Sequence, residues 1–287
     1  QSFFRRTLTR AKARSSQMVD SHTRALSAVP DVTLVKTEMR DSVAVMTMLA
    51  PEGSFPWGTR ILEHRINPLL IEQVNAALDV AEREEAQALL VVGDGRFFSN
   101  GMDLQYLTAN VAQSTQVQTD AELLLSRLLT LGMPTVAALN GHFAAAGAMF
   151  GLAFDKRVMA ADGKGLFFVP GIDIGLVYSK GMTELMKAKM PQPLWNSVLC
   201  MGQRFACADL LSHGVVDAAP PNTELLDTAL SVAVALKSKG KDAKTRKTMH
   251  GIKKHLYRDA VATLGHQVDD MGFAAGTWDS TGRVSKL

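Results

Sequence analysis

The sequence predicts an α/β fold, and three observations carry the prediction. Two apolar runs, Ala88 to Val92 and Thr135 to Leu139, each lead through a turn rich in small residues into a helix-like segment. Runs so short and so apolar read as strands buried on both faces. Strand, strand, helix groupings recur loosely along the chain without a fixed period, and beyond about Pro191 the pattern turns helical. At 287 residues, 47% hydrophobic and 21% charged, the chain is long enough to bury a large core in one domain.

Ser42 to Leu49 is the first expected strand, and a turn-rich stretch comes after it through Pro51, Gly53, Pro56 and Gly58. A helix is expected from Pro68, because proline suits a first helical turn and Leu69, Leu70, Val74, Ala77 and Leu78 share one face. The strand from Ala88 ends at Gly93-Asp94-Gly95, but the next glycine is Gly101. The spacing of a dinucleotide-binding fingerprint is therefore not met. An amphipathic helix, Asp120 to Leu131, leads through Met133-Pro134 to the second buried strand. Short strands are expected at Val158 to Ala161 and Leu166 to Val169, then helices after Gly181 and at Trp195 to Met201, Ala206 to Ser212 and Thr223 to Lys237. The chain divides into a basic extension over 1–38, a core over 39–220 and a helical region over 221–287.

Composition narrows the function. The longest apolar run, Phe143 to Phe154, has 12 residues, short of the roughly 18 to 20 that span a bilayer, so no membrane span is expected. Cys200 and Cys207 are the only cysteines and lack His or Cys neighbours at metal-ligand spacing, which argues against a disulfide framework and a metal site. The net charge of +3 comes largely from the N-terminal arm and from a basic run, Lys237 to His255, in which Asp242 is the only acid. That run has no interleaved aromatics and fits a solvated helix face better than a nucleic-acid site.

The ends read as addresses. Ser285-Lys286-Leu287 has the form of a peroxisomal signal read by an import receptor. Arg5, Arg6, Arg10, Lys12 and Arg14, with no acid before Asp20, resemble a mitochondrial type of transit segment. The peroxisome is the favoured expectation and the mitochondrion the alternative.

Two stretches carry the chemistry: Phe97-Phe98-Ser99-Asn100-Gly101-Met102-Asp103-Leu104 and Leu139-Asn140-Gly141-His142-Phe143-Ala144-Ala145-Ala146-Gly147-Ala148-Met149. Each follows a buried strand and opens a helix, so main-chain N–H groups are left without partners there. Such groups stabilise developing negative charge, and the small side chains let a ligand reach the backbone.

Together with Met133-Pro134-Thr135-Val136-Ala137-Ala138-Leu139, Ile172-Asp173-Ile174-Gly175-Leu176, Gly202-Gln203-Arg204-Phe205 and His213-Gly214-Val215-Val216-Asp217, these stretches resemble the crotonase superfamily of enoyl-CoA hydratases and isomerases. Within it the chain is most similar to the plant-type peroxisomal Δ3,Δ2-enoyl-CoA isomerases. The resemblance implies a spiral of ββα units with a C-terminal helical trimerisation region, hence a homotrimer or hexamer. It implies an acyl-CoA thioester substrate, with coenzyme A as part of the substrate and no other cofactor. The N–H groups of Met102 and Ala146 would form an oxyanion hole for the thioester oxygen. Arg65, Ser99, Asn100, Gly101, Met102, Asp103, Leu104 and Ala146 would line the coenzyme A and thioester end, with Arg65 placed to meet a phosphate.

The chain also departs from that pattern. Met149 and Gly171 stand where the two family glutamates are expected, and Ser179-Lys180 where other branches place a further acid. Asp173, two residues beyond Gly171, is the expected base if the segment is extended, with Glu184 as a second candidate. Asp103 is expected to cap a helix, and His142 to be a core histidine rather than a base. Two functions are open: a Δ3,Δ2-enoyl-CoA isomerase of fatty-acid β-oxidation with a relocated base, or a CoA-thioester binding homologue without turnover.

Overall fold

A computed structural model describes residues 32–266 and 272–273, so the basic arm and Ser285-Lys286-Leu287 lie outside the described residues. The chain from Leu34 onward forms one unit. Its main sheet has five strands in the order β1-β2-β3-β5-β7: β1 Val35–Arg40, β2 Val43–Met48, β3 Ala88–Gly93, β5 Thr135–Leu139 and β7 Lys156–Met159. β1 and β2 form an antiparallel hairpin, and all other neighbours are parallel. A smaller sheet holds β4 Phe97–Ser99, β6 His142–Ala144 and β8 Phe167–Phe168, all parallel, in the order β4-β6-β8.

The two sheets explain the recurrent grouping in the sequence. In each repeat one strand enters the large sheet and the next enters the small one (β3 then β4, β5 then β6, β7 then β8), before the chain turns into helix. β1 has no counterpart among the expected strands. Its six residues carry Lys36, Glu38 and Arg40 and are half-buried or exposed, as befits an edge strand. The central strands are the apolar runs: every residue of β5 is buried, and five of six in β2 and in β3.

Helix α1, Pro68–Arg83, starts as expected, with Pro68 in its first turn and the Asn67 side chain accepting the Leu70 N–H at 3.0 Å. Next come α2 Leu104–Ala109, α3 Ser114–Leu129, α4 Ala146–Ala153, the four-residue α5 Gly171–Ile174, the short strand β9 Leu176–Val177 and α6 Lys180–Lys189. The segment expected as a helix at Trp195 to Met201 contains a π-helical turn, Asn196–Cys200. Helices α7 Cys207–Ser212, α8 Leu225–Leu236, α9 Ala243–Leu256 and α10 Arg258–Thr263 follow among the described residues, and β10 Gly272–Phe273 pairs with β9. No helix among the described residues is long and apolar enough to cross a membrane.

Leu225, Ala229 and Ala233 of α8 cover one face of the main sheet, packing on Val43, Val45, Ala88, Leu90, Val136, Ala138 and Val158. The basic run is only partly a solvated face. Lys237 pairs with Asp41, while Lys253 is buried and donates to the carbonyls of Leu131 (3.0 Å) and Met133 (3.1 Å) and to Asp155 (2.6 Å). Arg157, also buried, donates to the carbonyls of Val215, Leu152 and Phe154.

Lys189 lies against this cluster and contacts the Tyr257 ring and hydroxyl. Burial first, and then the Arg157 charge, bring its ammonium down to about 7. A lysine whose folded pKa lies below its unfolded value destabilises the fold while both states are protonated, and the penalty fades as pH climbs from the folded toward the unfolded pKa. Lys189→Met is therefore expected to raise the melting temperature most at pH 6, with the gain vanishing near pH 10. Thermal melts across that range check it, and a gain independent of pH would contradict it.

Candidate active site

The site is built at the carboxyl ends of the three parallel strands of the small sheet, where open α/β sheets present main-chain groups to ligands. β4 runs into Asn100, Gly101 and Met102; β6 into Ala145 and Ala146; β8 into Pro170 and Gly171. The Ile66 N–H donates to the Gly101 carbonyl (2.8 Å) and the Asp103 N–H to the Ile66 carbonyl (3.0 Å). The Met102 amide between them faces the opposite way, since alternate groups of an extended chain point to opposite sides. It meets no acceptor among the described residues.

Ala146 is the first residue of α4, so its N–H has no intrahelical acceptor, and none is supplied elsewhere among the described residues. Ala145, before it, has φ 52° and ψ −127°, a conformation that a non-glycine residue adopts at a cost of about 1–3 kcal/mol. Its N–H is held by the Phe168 carbonyl at 3.0 Å. The two turns abut. A Cβ placed on Gly101 would lie 3.2 Å from the Ala146 nitrogen, and one on Gly147 would overlap the Ser99 carbonyl. Both glycines are therefore required by close approach of backbone to backbone. Gly101 thus lies against the Ala146 nitrogen, with Met102 next along the chain.

Side chains behind the first turn hold it rigid. Asp103 is fully buried, caps α2 by accepting the Tyr106 N–H (3.0 Å), and also accepts from Trp57 Nε1 (2.9 Å), Asn67 Nδ2 (3.2 Å) and the Thr59 hydroxyl. The capping expectation agrees with this geometry, but nothing in the sequence points to the three side-chain partners. Ser99, also buried, donates to the His64 carbonyl at 2.8 Å. Leu104 opens α2. Arg65, expected at a coenzyme A phosphate, donates to Glu63 (2.7 Å) and to the carbonyls of Asn100 (3.4 Å) and Met102 (3.3 Å), bracing the turn that carries the free amide. Burial pushes Glu63 up, yet the Asn100 amide, Arg65 and Arg60 together hold its carboxyl below the usual range.

The three positions without the expected acids differ in their surroundings. Met149 is buried in α4, and Phe150 beside it lines a small apolar recess with Ile66, Leu70, Ile71, Val74, Ser99 and Leu124. The Ser179 hydroxyl donates to Glu122, a wholly buried carboxylate on α3 that also accepts the Gly265 N–H (2.8 Å). Burial drives the Glu122 pKa up. The sequence does not single out Glu122, because one acid in an amphipathic helix reads as part of its wet face.

At the remaining position the Gly171 N–H donates to the Tyr178 hydroxyl. The expectation for Asp173 requires an extended segment, but Gly171–Ile174 is a helical turn. Residues two apart on a helix diverge by about 200°, so Asp173 leaves the side of Gly171 and is exposed, near Gly202. Glu184 is ion-paired with Lys187 at 2.9 Å on α6. His142 accepts the Leu166 N–H at Nδ1 (3.2 Å) in β6, a structural contact.

A family model described as Enoyl-CoA hydratase/isomerase matches residues 38–271. Enoyl-CoA delta isomerase 3 of Arabidopsis thaliana is 31% identical over 204 residues, covering 68% of this chain and 84% of its own length. The peroxisomal enoyl-CoA delta isomerase 2 of the same plant is 30% identical over 212 residues, covering 71% and 88%. Among solved structures, an enoyl-CoA hydratase/isomerase family protein from Pseudomonas syringae superposes with a TM-score of 0.71 at 26% identity, covering 80% of this chain and 95% of the other. A Mycobacterium tuberculosis enoyl-CoA isomerase gives 0.71 at 24% identity, with 82% and 96% covered, a likeness of fold. With free amides at two abutting turns and a match over most of its length, this chain belongs to the enoyl-CoA hydratase/isomerase family.

Proposed function

We propose that the chain is a Δ3,Δ2-enoyl-CoA isomerase of fatty-acid β-oxidation, which moves the double bond of a 3-enoyl-CoA to the trans-2 position. The observation that carries the reading is the pair of unpartnered amides, Met102 and Ala146, on adjoining turns. Removing a proton from C2 sends charge onto the thioester oxygen, and donors already aimed at it lower the barrier without rearranging. One such donor is worth about 3–4 kcal/mol. Protonation at C4 then places the double bond in conjugation with the carbonyl.

Met149 and Gly171 favour the second reading, a CoA-thioester binding homologue without turnover, since a lost general base costs about 10²–10⁴-fold in rate. Incubating the protein with a 3-enoyl-CoA and following the ultraviolet absorbance of the conjugated product separates the two. Product formation supports the isomerase; acyl-CoA binding by calorimetry with no product supports the binding protein.

Assembly and address belong to the same proposal. The helices after Leu225 would mediate a homotrimer or a hexamer, to be read by sedimentation. Ser285-Lys286-Leu287 would direct import into the peroxisome, the compartment named for two Arabidopsis relatives. A relative from Rattus norvegicus is named mitochondrial, so imaging of the full chain with and without that tripeptide decides between the compartments.

A further inference from the structure

We infer that the Tyr178 hydroxyl is the group that carries the proton in this site, in the position left open by Gly171. The inference rests on the isomerase reading for its substrate and on geometry for its residue. Gly171 is buried three residues beyond β8, and β8 pairs with β6, one strand spacing of about 5 Å away, whose last residue Ala144 lies two before Ala146. A Cβ at Gly171 would fall on the Tyr178 hydroxyl and come within 2.7 Å of the Leu176 carbonyl, so the phenol oxygen fills the volume that a side chain at 171 would enter. Gly175, at φ 68°, turns the chain after α5, and β9 then runs back to bring Tyr178 against Gly171. The phenol oxygen accepts the Gly171 N–H. Its own O–H meets no acceptor among the described residues and is therefore assigned to the ligand, and the bond from Gly171 favours the phenolate.

The step balances with this one group. The phenolate oxygen takes a proton from C2; the C–H electron pair becomes the C1–C2 double bond, and the carbonyl pair moves to the oxygen facing Met102 and Ala146. The flow then reverses. The oxygen pair reforms the carbonyl, C2–C3 becomes double, and the C3–C4 pair takes the phenol proton at C4, regenerating the phenolate. No electrons are gained or lost, and no co-reactant is consumed.

The surroundings set the pH at which this occurs. Burial first, offset by the Gly171 amide and reinforced by the Asp173 charge, pushes the phenol up to about 12. The other charged groups nearby point elsewhere or are spent. Lys180 is exposed at the start of α6, Glu122 is bound to Ser179, and Arg204 lies over the Phe168 ring at 4.8 Å. The π-helical turn packed on α5 presents Cys200, which is exposed. Burial thus keeps the phenol protonated at neutral pH, and the exposed Asp173 charge adds to this only as the smallest of the three influences.

The test is the pH profile of kcat, with Tyr178→Phe and Asp173→Asn beside the wild type. A phenolate base gives a kcat that rises close to tenfold per pH unit from pH 7 to 9, whereas a carboxylate base gives a flat profile above about pH 6. Tyr178→Phe is expected to lower kcat by about 10²–10⁴-fold with KM unchanged. Asp173→Asn is expected to leave kcat at pH 8 unchanged or slightly raised, because its exposed charge is the smallest influence on the phenol. A flat wild-type profile, or loss of activity in Asp173→Asn with Tyr178→Phe unimpaired, overturns the inference; the wild-type profile needs no variant to fold. Exchange of the C2 protons of a saturated acyl-CoA in heavy water, followed by NMR, separates this inference from the isomerase reading. If the wild type isomerises nothing yet exchanges those protons and Tyr178→Phe does not, the reading fails and the tyrosine stands. If the wild type neither isomerises nor exchanges, both fail.

Discussion

Asp103→Ala is expected to lower the unfolding free energy by roughly 3–5 kcal/mol, a large effect for a residue that need not touch substrate. Its carboxylate is the common acceptor for Trp57, Thr59, Asn67 and the Tyr106 amide, all converging on a residue with no solvent exposure. Alanine leaves these donors facing an apolar gap, and each buried donor without a partner costs about 1–3 kcal/mol. Trp57 also stacks on Phe55 at 4.7 Å and meets Tyr106 edge-on at 5.0 Å, so releasing the indole loosens that aromatic group as well. Asp103→Asn keeps one acceptor oxygen and should fall between the two. Urea unfolding at equal protein concentration measures the loss. A value under about 1 kcal/mol for the alanine variant would mean that the four contacts are replaceable by water.

Gly147→Ala is expected to cut kcat/KM by about 100-fold, because a displacement near 1 Å at a reacting centre costs about that much. The new Cβ would sit 2.8 Å from the Ser99 Cβ and inside the Ser99 carbonyl, so α4 and β4 must separate. No rotamer relieves a clash with main chain. Since α4 begins at Ala146 and β4 leads to Met102, separation moves the two amides apart. A stability cost of about 1–3 kcal/mol accompanies overpacking of this kind. Calorimetric melting and the isomerisation assay report the two effects separately; full activity in a folded variant would remove these turns from the mechanism.

Much of this arrangement is legible in the sequence, and the gaps have physical causes. Ala88 to Gly93 and Thr135 to Leu139 announce themselves because strands covered on both sides need apolar residues throughout. Pro68 after Asn67 marks a helix start by the same local logic. β1 is silent, since an edge strand with Lys36, Glu38 and Arg40 shows no apolar run. β4 and β6 are three residues long and lie inside stretches that read as turns. At the site, the amides of Met102 and Ala146 follow from family resemblance, but their partners do not. Arg65 in a loop looks like a hand extended to a phosphate; only the fold shows it bracing the carbonyls of Asn100 and Met102. Tyr178 and Gly171 meet because a left-handed residue at Gly175 reverses the chain between them, and Asp173 turns outward because four residues curl into a helix where an extended segment is expected.

The Lys253 ammonium closes three acceptors at once, on Leu131, Met133 and Asp155, about 100 to 120 positions away along the chain. Arg246, two turns earlier on the same helix, reaches the Ala86 carbonyl at the threshold of β3. Fraying of α9 would strand buried carbonyls and an acid beside the sheet centre, so the late helix and the central strands must melt as one cooperative unit rather than in sequence.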